Sequence, residues 1–560
     1  MSLTPDDATV SPAFPEEVLP PRSEASAGPS TLRANLIAAG VVLVGFLLRL
    51  WAASGTFLNP DEAMHVQAAW QPTLSEAYRA SLGLAHPPLL ILILNLCRHL
   101  GTSELTLRLP SVIAGTVFCW VFFRWLRITL GRAPAWIGLV LACFLPPMIE
   151  LSAEVRQYAL LLCFLMLAVY WLEAGFRKSS ALWTVLSAAA LYLAMLSHFS
   201  GILFAGALGA YGLLRLISRR YPVSVIVAWL AGQAGALALL DFLYKTQISQ
   251  LRGSEVERQV MGSMLASSYF HWGEGHWALF VFARSFGVFQ FSFGQLAVGD
   301  LAALLFLAGV ILLLRRRSPR GSKYSPRLMA IFLLLPFAIN CAAALVDLYP
   351  YGGTRHSAFL VPFVLAGVSL GLARLVQGQM GSGLALALLL VTLCTVLGHP
   401  HRPYMRRADQ RRSNMTGAVE FLEKNVEPSD RILADFQTNF PLRFYLCHES
   451  VELLDTKIRG FKTFSCDGKT VIAAGPRAND WDRDMFLRRW GRVVRDYGLT
   501  TGQAVWVVQM GWNLDLAQQL QALPELRTLQ VVSFGHNIEM FKLTVGQPMP
   551  LGATGPVQSR

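Results

Sequence analysis

Long apolar runs recur along this chain from Ala38 to Gly398, and they constrain its fold more than any other feature. A run of roughly 18 or more apolar residues forms a helix that crosses the hydrocarbon core of a bilayer. Only 15% of the residues are charged, whereas water-soluble proteins carry about 25%. The sequence therefore predicts a polytopic α-helical membrane protein.

The net charge of +13 comes largely from arginines in short loops between the apolar runs, with basic clusters at 124–132, 215–220 and 315–323. Basic residues in such loops mark the cytoplasmic side of a membrane protein. They do not form the basic patch on a folded domain that nucleic-acid binding needs. We therefore predict a multi-pass protein of the cell inner (plasma) membrane that contacts membrane lipids and no nucleic acid.

Pairing the apolar runs with the arginine clusters gives about eleven transmembrane helices. In this interpretation the apolar stretches 87–100 and 277–297 lie along the membrane surface or re-enter it. If both stretches cross the bilayer, the count rises to about thirteen. The arrangement with eleven helices places the loop 54–105 outside the cytoplasm.

Composition divides the chain into three parts. Residues 1–34 have almost no apolar periodicity, which predicts a disordered cytoplasmic tail. Residues 35–398 form the predicted membrane domain, and residues 399–560 show the alternating helix and strand patterns of a compact α/β domain, placed on the exoplasmic side. Its predicted elements are helices Val419–Asn425 and Trp481–Tyr497 and strands Arg431–Phe436, Val451–Leu454, Thr470–Ala474, Ala504–Gln509, Leu529–Phe534 and Glu539–Leu543.

Two cysteines, Cys447 and Cys466, lie in the C-terminal part. On the exoplasmic side they would form a disulfide, and two free thiols are the alternative. The sequence holds no CxxC, HExxH, GxGxxG or GxxxxGKS/T motif, so neither a structural zinc nor a nucleotide is indicated. No cofactor is certain, and a divalent metal stays open.

The outer loop contains two adjacent carboxylates, Asp61 and Glu62, shortly after the first apolar run. Pro60 favours the first turn of a helix, so Asp61 is expected at a helix start. Adjacent helical residues point about 100° apart, so one carboxylate can face a reaction centre while the other orients it. A carboxylate at a dry membrane boundary can serve as a general base, and an ordinary solvated acidic loop is the alternative.

Further polar residues map to the same face of the membrane, and they are His86, Glu154, Arg156, Tyr158, His198, Arg355 and His356. The planar guanidinium groups of Arg156 and Arg355 suit a phosphate. His86 precedes a stiff Pro-Pro turn and could donate to the same phosphate, with a structural histidine as the alternative. For Arg156 the alternative is an ion pair with Glu154 that tethers the loop. Arg49 is expected to snorkel at the end of the first span.

Several short polar segments follow one another along residues 36–375. They are Asp61-Glu62, His86-Pro87-Pro88-Leu89, Arg108-Leu109-Pro110-Ser111 with Ala114-Gly115, Glu154-Val155-Arg156-Gln157-Tyr158, and Arg355-His356 with Pro362. In these pieces the chain resembles the GT-C glycosyltransferases that use polyprenyl-phosphate sugars. It is similar to the superfamily of protein O-mannosyltransferases and bacterial aminoarabinose transferases, especially its lipopolysaccharide galacturonosyltransferase-like branch.

The resemblance implies a GT-C membrane fold and transfer of a sugar from a polyprenyl phosphate to an acceptor hydroxyl, with inversion. Asp61 would be the base that deprotonates the hydroxyl, with Glu62 beside it. The residues assigned to the donor phosphate are His86, Arg156, Arg355 and His356, and the supporting residues are Glu154, Tyr158 and His198. In the aminoarabinose transferases a Lys precedes the Pro-Pro pair, and His86 weakens the fixed positive charge at that place.

The acceptor could be a lipid, a glycan or a protein, and neither it nor the sugar can be read from the sequence. A flippase or transporter of lipid-linked saccharides is the alternative function, for which the acidic pair would be incidental. A membrane anchor for a binding domain is a third, disfavoured by the many spans. Transporters place ionisable residues near the bilayer midplane in broken helices, and the predicted spans are poor in central charges.

Overall fold

The computed structural model describes residues 29–251, 253–254, 265–316, 325–397, 409–447, 452–454, 460–466, 468–474, 492–493, 496–497, 499–511 and 526–546. Residues 1–28 of the predicted tail lie outside the described residues, as do the predicted domain boundary at residue 399 and most of the predicted helix Trp481–Tyr497.

Helices make up the whole of the described chain before residue 398 apart from short connections. In chain order they are α1 Pro29–Ala53, α2 Pro60–Ala69, α3 Leu74–Ser81, α4 Leu89–Cys97, α5 Glu104–Thr129, α6 Arg132–Phe144, α7 Pro146–Glu150, α8 Tyr158–Lys178, α9 Ala181–Ser197, α10 Ser200–Ser218, α11 Val223–Leu243, α12 Trp277–Phe293, α13 Leu296–Arg315, α14 Pro326–Leu345, α15 Val361–Leu375 and α16 Met380–Val396. The π-helical turn Tyr244–Ile248 and the turn Ser249–Leu251 extend α11, and 3-10 turns lie at Arg98–Leu100, Ala266–Ser268 and Arg355–Leu360.

Eight helices in the described part are long and apolar enough to cross a membrane: Leu32–Ala53, Glu104–Thr129, Tyr158–Lys178, Ser200–Ser218, Val223–Leu251, Leu296–Arg315, Pro326–Leu345 and Arg355–Leu375. Five shorter apolar helices, of 10–17 residues, accompany them, and the stretches 87–100 and 277–297 are both among these. The chain is therefore a multi-pass α-helical membrane protein, as predicted. The helix α4 has 9 residues and a length of about 14 Å, which is too short to span.

The C-terminal part is a seven-stranded sheet with helices packed on it. Its elements are α17 Arg412–Asn425, β1 Arg431–Ala434, α18 Asn439–Tyr445, β2 Glu452–Leu454, β3 Phe461–Cys466, β4 Lys469–Ala474, β5 Ala504–Met510, β6 Leu526–Ser533 and β7 Ile538–Val545. The strand order is β2-β3-β4-β1-β5-β7-β6, with β1 parallel to β4 and β5 and the other pairs antiparallel. The two faces of the sheet bury separate apolar clusters, one beneath α17. The predicted fold class, a polytopic α-helical membrane protein with a C-terminal α/β domain, is confirmed.

The strand β3 and the helix α18 were not predicted. A sequence signal for β3 exists, because Asp467-Gly468 joins it to β4 and an Asp-Gly pair between two strands is typical of a tight hairpin. The helix α18 has 7 residues and no side-chain cap, so neither its length nor a capping residue could predict it from the sequence.

The disulfide alternative for the C-terminal cysteines is the one observed. Cys447, just after α18, is bonded to Cys466 at the end of β3, with Cα atoms 4.6 Å apart. The bond therefore ties α18 to the sheet. The helix α18 in turn contacts α2 of the membrane part, since Arg443 donates to the Gln67 side chain at 3.0 Å.

The expectation that Arg49 snorkels is wrong. Arg49 is buried, and its guanidinium donates to the carbonyl oxygens of Ala142 at 2.8 Å and Cys143 at 3.0 Å. These are the last carbonyls of α6, which ends where Pro146 opens α7 and so leaves them without helical donors. Arg49 completes that helix end instead of reaching for water.

Candidate functional site

The helix α2 begins where Pro60 predicts. Asn59 is its N-cap, and the Asn59 side chain accepts from the Glu62 N–H at 3.0 Å while Glu62 Oε2 accepts from the Asn59 N–H at 2.9 Å. This reciprocal pair is a capping box, and Pro60 occupies the first turn. The cap fixes the direction of α2 and places Asp61 and Glu62 on different sides of it.

Glu62 is fully buried and holds several segments together. Arg108 of α5 donates to both of its oxygens, each at 2.7 Å, and the backbone N–H of Val155 donates to Oε1 at 2.8 Å. The Arg108 guanidinium also donates to the carbonyl oxygens of Ala53, Thr56 and Phe57. The Glu62 carboxylate is therefore occupied by protein donors from α2, α5 and the segment before α8.

Asp61 faces two arginines that come from distant parts of the chain. Its Oδ2 lies 3.1 Å from Nη1 of Arg156 and 3.3 Å from Nη1 of Arg355. Arg156 lies before α8 and Arg355 opens the 3-10 turn before α15. The Asp61 side chain keeps 29% of its surface exposed, whereas Glu62 keeps none. Of the two adjacent carboxylates, Asp61 is thus the one that a bound molecule can reach.

The charges at this point favour an anion. Burial alone would raise the pKa of Asp61, but the positive charges of Arg156 and Arg355 outweigh it and hold the pKa below its ordinary value. Burial and the nearby Glu62 charge raise the pKa of Glu154 to about 8, so Glu154 carries a proton at neutral pH. Asp61, Glu154 and the two arginines together carry one net positive charge.

Arg156 does not pair with Glu154 in the structure. Its ion-pair partner among the described residues is Asp61, and its side chain is only 6% exposed. The α5 helix approaches this segment closely at Gly115, where an added Cβ would lie 2.1 Å from Oγ of Ser152. The tight packing fixes the loop that carries Arg156, so an ion pair to Glu154 is not needed for that purpose.

Four histidines form a row of rings beside the carboxylate. Ring centroids of His65 and His86 are 5.8 Å apart, those of His86 and His198 are 5.3 Å apart, and those of His198 and His356 are 5.9 Å apart. Tyr158 packs on His198 at 5.3 Å. The structure therefore brings together every residue that the sequence proposed for the site, and it adds His65.

Burial favours the neutral form of His65, His86 and His198. Burial lowers the pKa of His86 and His198, and it lowers that of His65 to about 4. Nδ1 of His65 donates to the Asp61 carbonyl oxygen at 2.6 Å, and its Nε2 is buried with no hydrogen-bond partner in the described chain. Nδ1 of His86 is also buried and has no hydrogen-bond partner in the described chain. Buried polar atoms are nearly always paired, so these two nitrogens lack a partner that a bound polar molecule would supply.

The C-terminal part completes the loop that leads to α2. The Phe57 N–H donates to the Gln410 carbonyl oxygen at 3.0 Å, and the Gln410 side chain donates to the Phe57 carbonyl oxygen at 2.6 Å. The hydroxyl of Tyr445, on α18, accepts from the Leu58 N–H at 2.7 Å and donates to Glu104 at 3.1 Å. The segment before Asp61 is therefore held between the membrane helices and the C-terminal part.

The sequence analysis gave no role to four residues of this network: His65, Arg108, Gln410 and Tyr445. His65 follows Asp61 by one helical turn, which is a usable signal. Arg108 is a charged residue near the start of an apolar span, and such residues usually have a function or a partner. Gln410 and Tyr445 carry no local signal, because their partners lie more than 300 residues away in sequence.

Among the residues that the structure describes, no group of three or more His, Cys, Asp or Glu side chains is placed to hold a metal ion. The positive charge beside Asp61 comes instead from the guanidinium groups of Arg156 and Arg355.

Residues 85–244 match the family described as dolichyl-phosphate-mannose-protein mannosyltransferase. Searching the curated proteins found no match. Among solved structures, ArnT from Cupriavidus metallidurans in the apo state is 14% identical with a TM-score of 0.53, and the match covers 92% of this chain and 98% of that chain. The same protein bound to undecaprenyl phosphate has a TM-score of 0.51 at the same identity and coverage. The chain is therefore similar in overall fold to ArnT over nearly the whole of both chains.

A weaker match is to the archaeal oligosaccharyltransferase AglB from Archaeoglobus fulgidus in complex with an inhibitory peptide and a dolichol-phosphate. It is 10% identical with a TM-score of 0.41, and the match covers 74% of this chain and 64% of that chain.

Proposed function

We propose that this chain, which has the GT-C fold of the protein mannosyltransferase and ArnT superfamily, transfers a sugar from a polyprenyl phosphate to an acceptor hydroxyl on the exoplasmic face of the membrane. One observation carries the proposal. The accessible carboxylate of Asp61 lies between two guanidinium groups, Arg156 and Arg355, at the end of a bundle of apolar helices. A base and a phosphate site are thus adjacent, beside apolar surfaces that suit a lipid tail.

The chemistry assigned to these groups is a single displacement. Asp61 accepts the proton of the acceptor hydroxyl, whose oxygen attacks the anomeric carbon of the sugar. The bond between that carbon and the phosphate oxygen breaks, and its electron pair stays on the lipid phosphate. Arg156 and Arg355 stabilise the charge that develops there. One displacement from the opposite face inverts the anomeric configuration.

The resting ion pairs explain how a carboxylate with a lowered pKa can still serve as the base. A donor phosphate competes with Asp61 for Arg156 and Arg355, because both are anions that guanidinium groups bind. As the arginines turn to the phosphate, the charges that hold the pKa of Asp61 down are drawn away from it. Donor binding therefore prepares the base, and Asp61 gains basicity only when there is a sugar to transfer.

The histidine row is the proposed place for the sugar. A neutral imidazole carries one donor and one acceptor nitrogen, which suits the hydroxyl groups of a sugar ring. His65 and His86 each have a buried nitrogen with no partner in the described chain. Lying next to Arg156 and Asp61, the row is close enough to hold a sugar whose phosphate is on the arginines.

A transfer assay tests the proposal against the flippase alternative. The purified protein in detergent is given a radiolabelled polyprenyl-phosphate sugar and extracts that contain lipid, glycan or protein acceptors. Label that moves to an acceptor requires catalysis, because detergent micelles have no two sides between which a flippase could move lipid. Binding of the donor without any transfer, across all acceptor classes, would contradict the proposal. The same assay with EDTA tests whether transfer requires a divalent metal, which the sequence does not decide.

Arg156→Lys is expected to lower turnover at least tenfold while the Michaelis constant for the donor rises less. A single ammonium group keeps the charge but not the planar fork that binds two phosphate oxygens. The phosphate gains charge as the bond breaks, so the loss should fall mainly on the transition state. Arg79→Lys, on the exposed face of α3, is the matched control and should turn over normally. Unchanged turnover and an unchanged donor Michaelis constant in Arg156→Lys would assign Arg156 to the scaffold instead.

The exoplasmic placement of the site has a separate test. The residues 55–57 pair with residues 410–412, so the outer loop and the C-terminal part lie on one side. The Cys447–Cys466 disulfide favours an oxidising compartment for that side. In intact cells, a membrane-impermeant maleimide should label Ser75→Cys and Ser429→Cys, whereas Ser218→Cys should need permeabilised cells. Labelling of only one of the first two would break the proposed topology.

A further inference from the structure

A cavity lies at the opposite end of the helix bundle from Asp61. It has a volume of about 590 Å³ and lies where α1, α6 and α16 begin. The connections agree with this placement, because α5 ends at Thr129 just before α6, and α15 ends at Leu375 just before α16. The cavity is therefore at the cytoplasmic membrane boundary if Asp61 is at the exoplasmic one, and the transfer chemistry makes no use of it.

Two arginines stand at the mouth of this cavity. Arg33 lies in the first turns of α1 and Arg132 opens α6, and both side chains are exposed. Neither forms an ion pair with any side chain that the structure describes. In addition, α6 and α16 start without a side-chain cap, which leaves the N–H groups of their first turns available. Within the described part of the chain, the mouth therefore has positive charge and donors but no anionic side chain paired with them.

The walls below the arginines are apolar. Ile37 of α1, Trp136 of α6 and Leu384 of α16 line the cavity one turn further into the membrane than the arginines. A cationic rim above an apolar floor matches a molecule with an anionic head and a hydrocarbon body. A free inorganic anion would gain nothing from the floor, and a zwitterionic lipid would gain less from the rim. The volume lies in the range of pockets that hold small ligands, about 300–1,000 Å³.

We propose that this cavity binds an anionic phospholipid of the cytoplasmic leaflet. Its phosphate lies between Arg33 and Arg132, and the upper part of an acyl chain lies against Ile37, Trp136 and Leu384. The lipid would join the first helix of the bundle to its last, since α1, α6 and α16 all contribute to the cavity. The proposal does not depend on the transfer reaction at the other end of the bundle.

Native mass spectrometry of the delipidated full-length protein tests the site directly. Phosphatidylglycerol, phosphatidylethanolamine and inorganic phosphate are titrated separately, and the fraction of protein with bound ligand is measured. Phosphatidylglycerol should bind at least tenfold more tightly than phosphatidylethanolamine, because each nearby basic residue strengthens the binding of an anionic lipid by about fivefold. Equal binding of the two lipids, or competition by inorganic phosphate as strong as by phosphatidylglycerol, would overturn the proposal.

Two variants separate the charge from the shape of the site. Arg33→Gln with Arg132→Gln should lose the preference for phosphatidylglycerol. Leu384→Trp keeps both arginines but fills the floor, and it should also weaken phosphatidylglycerol binding several-fold. The matched control is Arg220→Gln with Arg315→Gln, which removes two exposed arginines at other helix ends and should bind as the unchanged protein does. If the control loses as much binding as the first variant, the attraction is diffuse and the assigned site is wrong.

Thermal unfolding of each variant without added lipid shows that the fold is intact. A variant that unfolds early is replaced by Arg33→Lys with Arg132→Lys, which keeps the charge and should keep the preference.

Discussion

Asp61→Asn is expected to lower sugar transfer by about 100- to 10,000-fold, the range that a general base contributes. The amide keeps the shape of the side chain and one acceptor oxygen, so α2 and its cap should stay in place. The loss should appear in turnover. The Michaelis constant for the donor should not rise, because the amide competes less than the carboxylate for Arg156 and Arg355.

Initial rates of the purified variant at several donor concentrations measure both quantities. Glu76→Gln is the control, since Glu76 is an exposed carboxylate in the same outer loop. Turnover of Asp61→Asn within threefold of the unchanged enzyme would show that the base is another group. A large rise in the donor Michaelis constant with normal turnover would place Asp61 in binding instead.

Glu62→Gln and Arg108→Met are expected to act on stability. Each removes one partner of a fully buried ion pair, which costs about 3–5 kcal/mol because the remaining charge is left without compensation. Arg108→Met also frees three carbonyl oxygens of the segment before α2, so it should be the more damaging of the two. The two adjacent carboxylates thus give opposite phenotypes, one folded and inactive, the other poorly folded.

Heating followed by fluorescence-detected size exclusion measures this effect in a crude detergent extract. The control is Arg412→Met, which also removes an arginine paired with a carboxylate, at 3.4 Å from Glu104, but from a side chain that is 63% exposed. An exposed pair contributes about 0–1 kcal/mol, so this variant should survive heating nearly as well as the unchanged protein. Equal heat resistance of Arg108→Met and Arg412→Met would mean that the buried pair does not hold the site.

The sequence predicted the parts of this molecule that depend on local patterns. The spans follow from apolar length, and the start of α2 follows from Pro60, because a proline in the first turn acts locally. The gathering of Asp61, Arg156 and Arg355 followed from a topology in which all three lie at one end of the bundle. Which of the three pair was not predictable, and Arg156 was expected beside Glu154 as much as elsewhere.

The sequence did not predict the partners of side chains whose contacts depend on tertiary packing. Arg49 was expected to reach for water, but the break at Pro146 offers it carbonyl oxygens inside the bundle. Asp61 and Glu62 differ in exposure because Arg108 of α5 pairs with Glu62. The sequence does not show that α5 packs against the face of α2 that carries Glu62. The hydrogen bond from the Leu58 N–H to Tyr445 of α18 depends on how the C-terminal part folds and on its disulfide. Local sequence periodicity predicts neither.

The pairing of residues 55–58 with the C-terminal part also bears on how the protein is made. The Phe57 backbone forms two hydrogen bonds with Gln410, which is translated 353 residues later. A ribosome therefore completes every span before the loop that leads to Asp61 has its partners. During that interval Arg108 can already donate to Glu62 and to the carbonyl oxygens of Ala53, Thr56 and Phe57. The N–H groups of Phe57 and Leu58 still lack their acceptors on Gln410 and Tyr445. The loop that leads to Asp61 therefore gains its last hydrogen bonds only after residues 410–445 have been made and have folded against it.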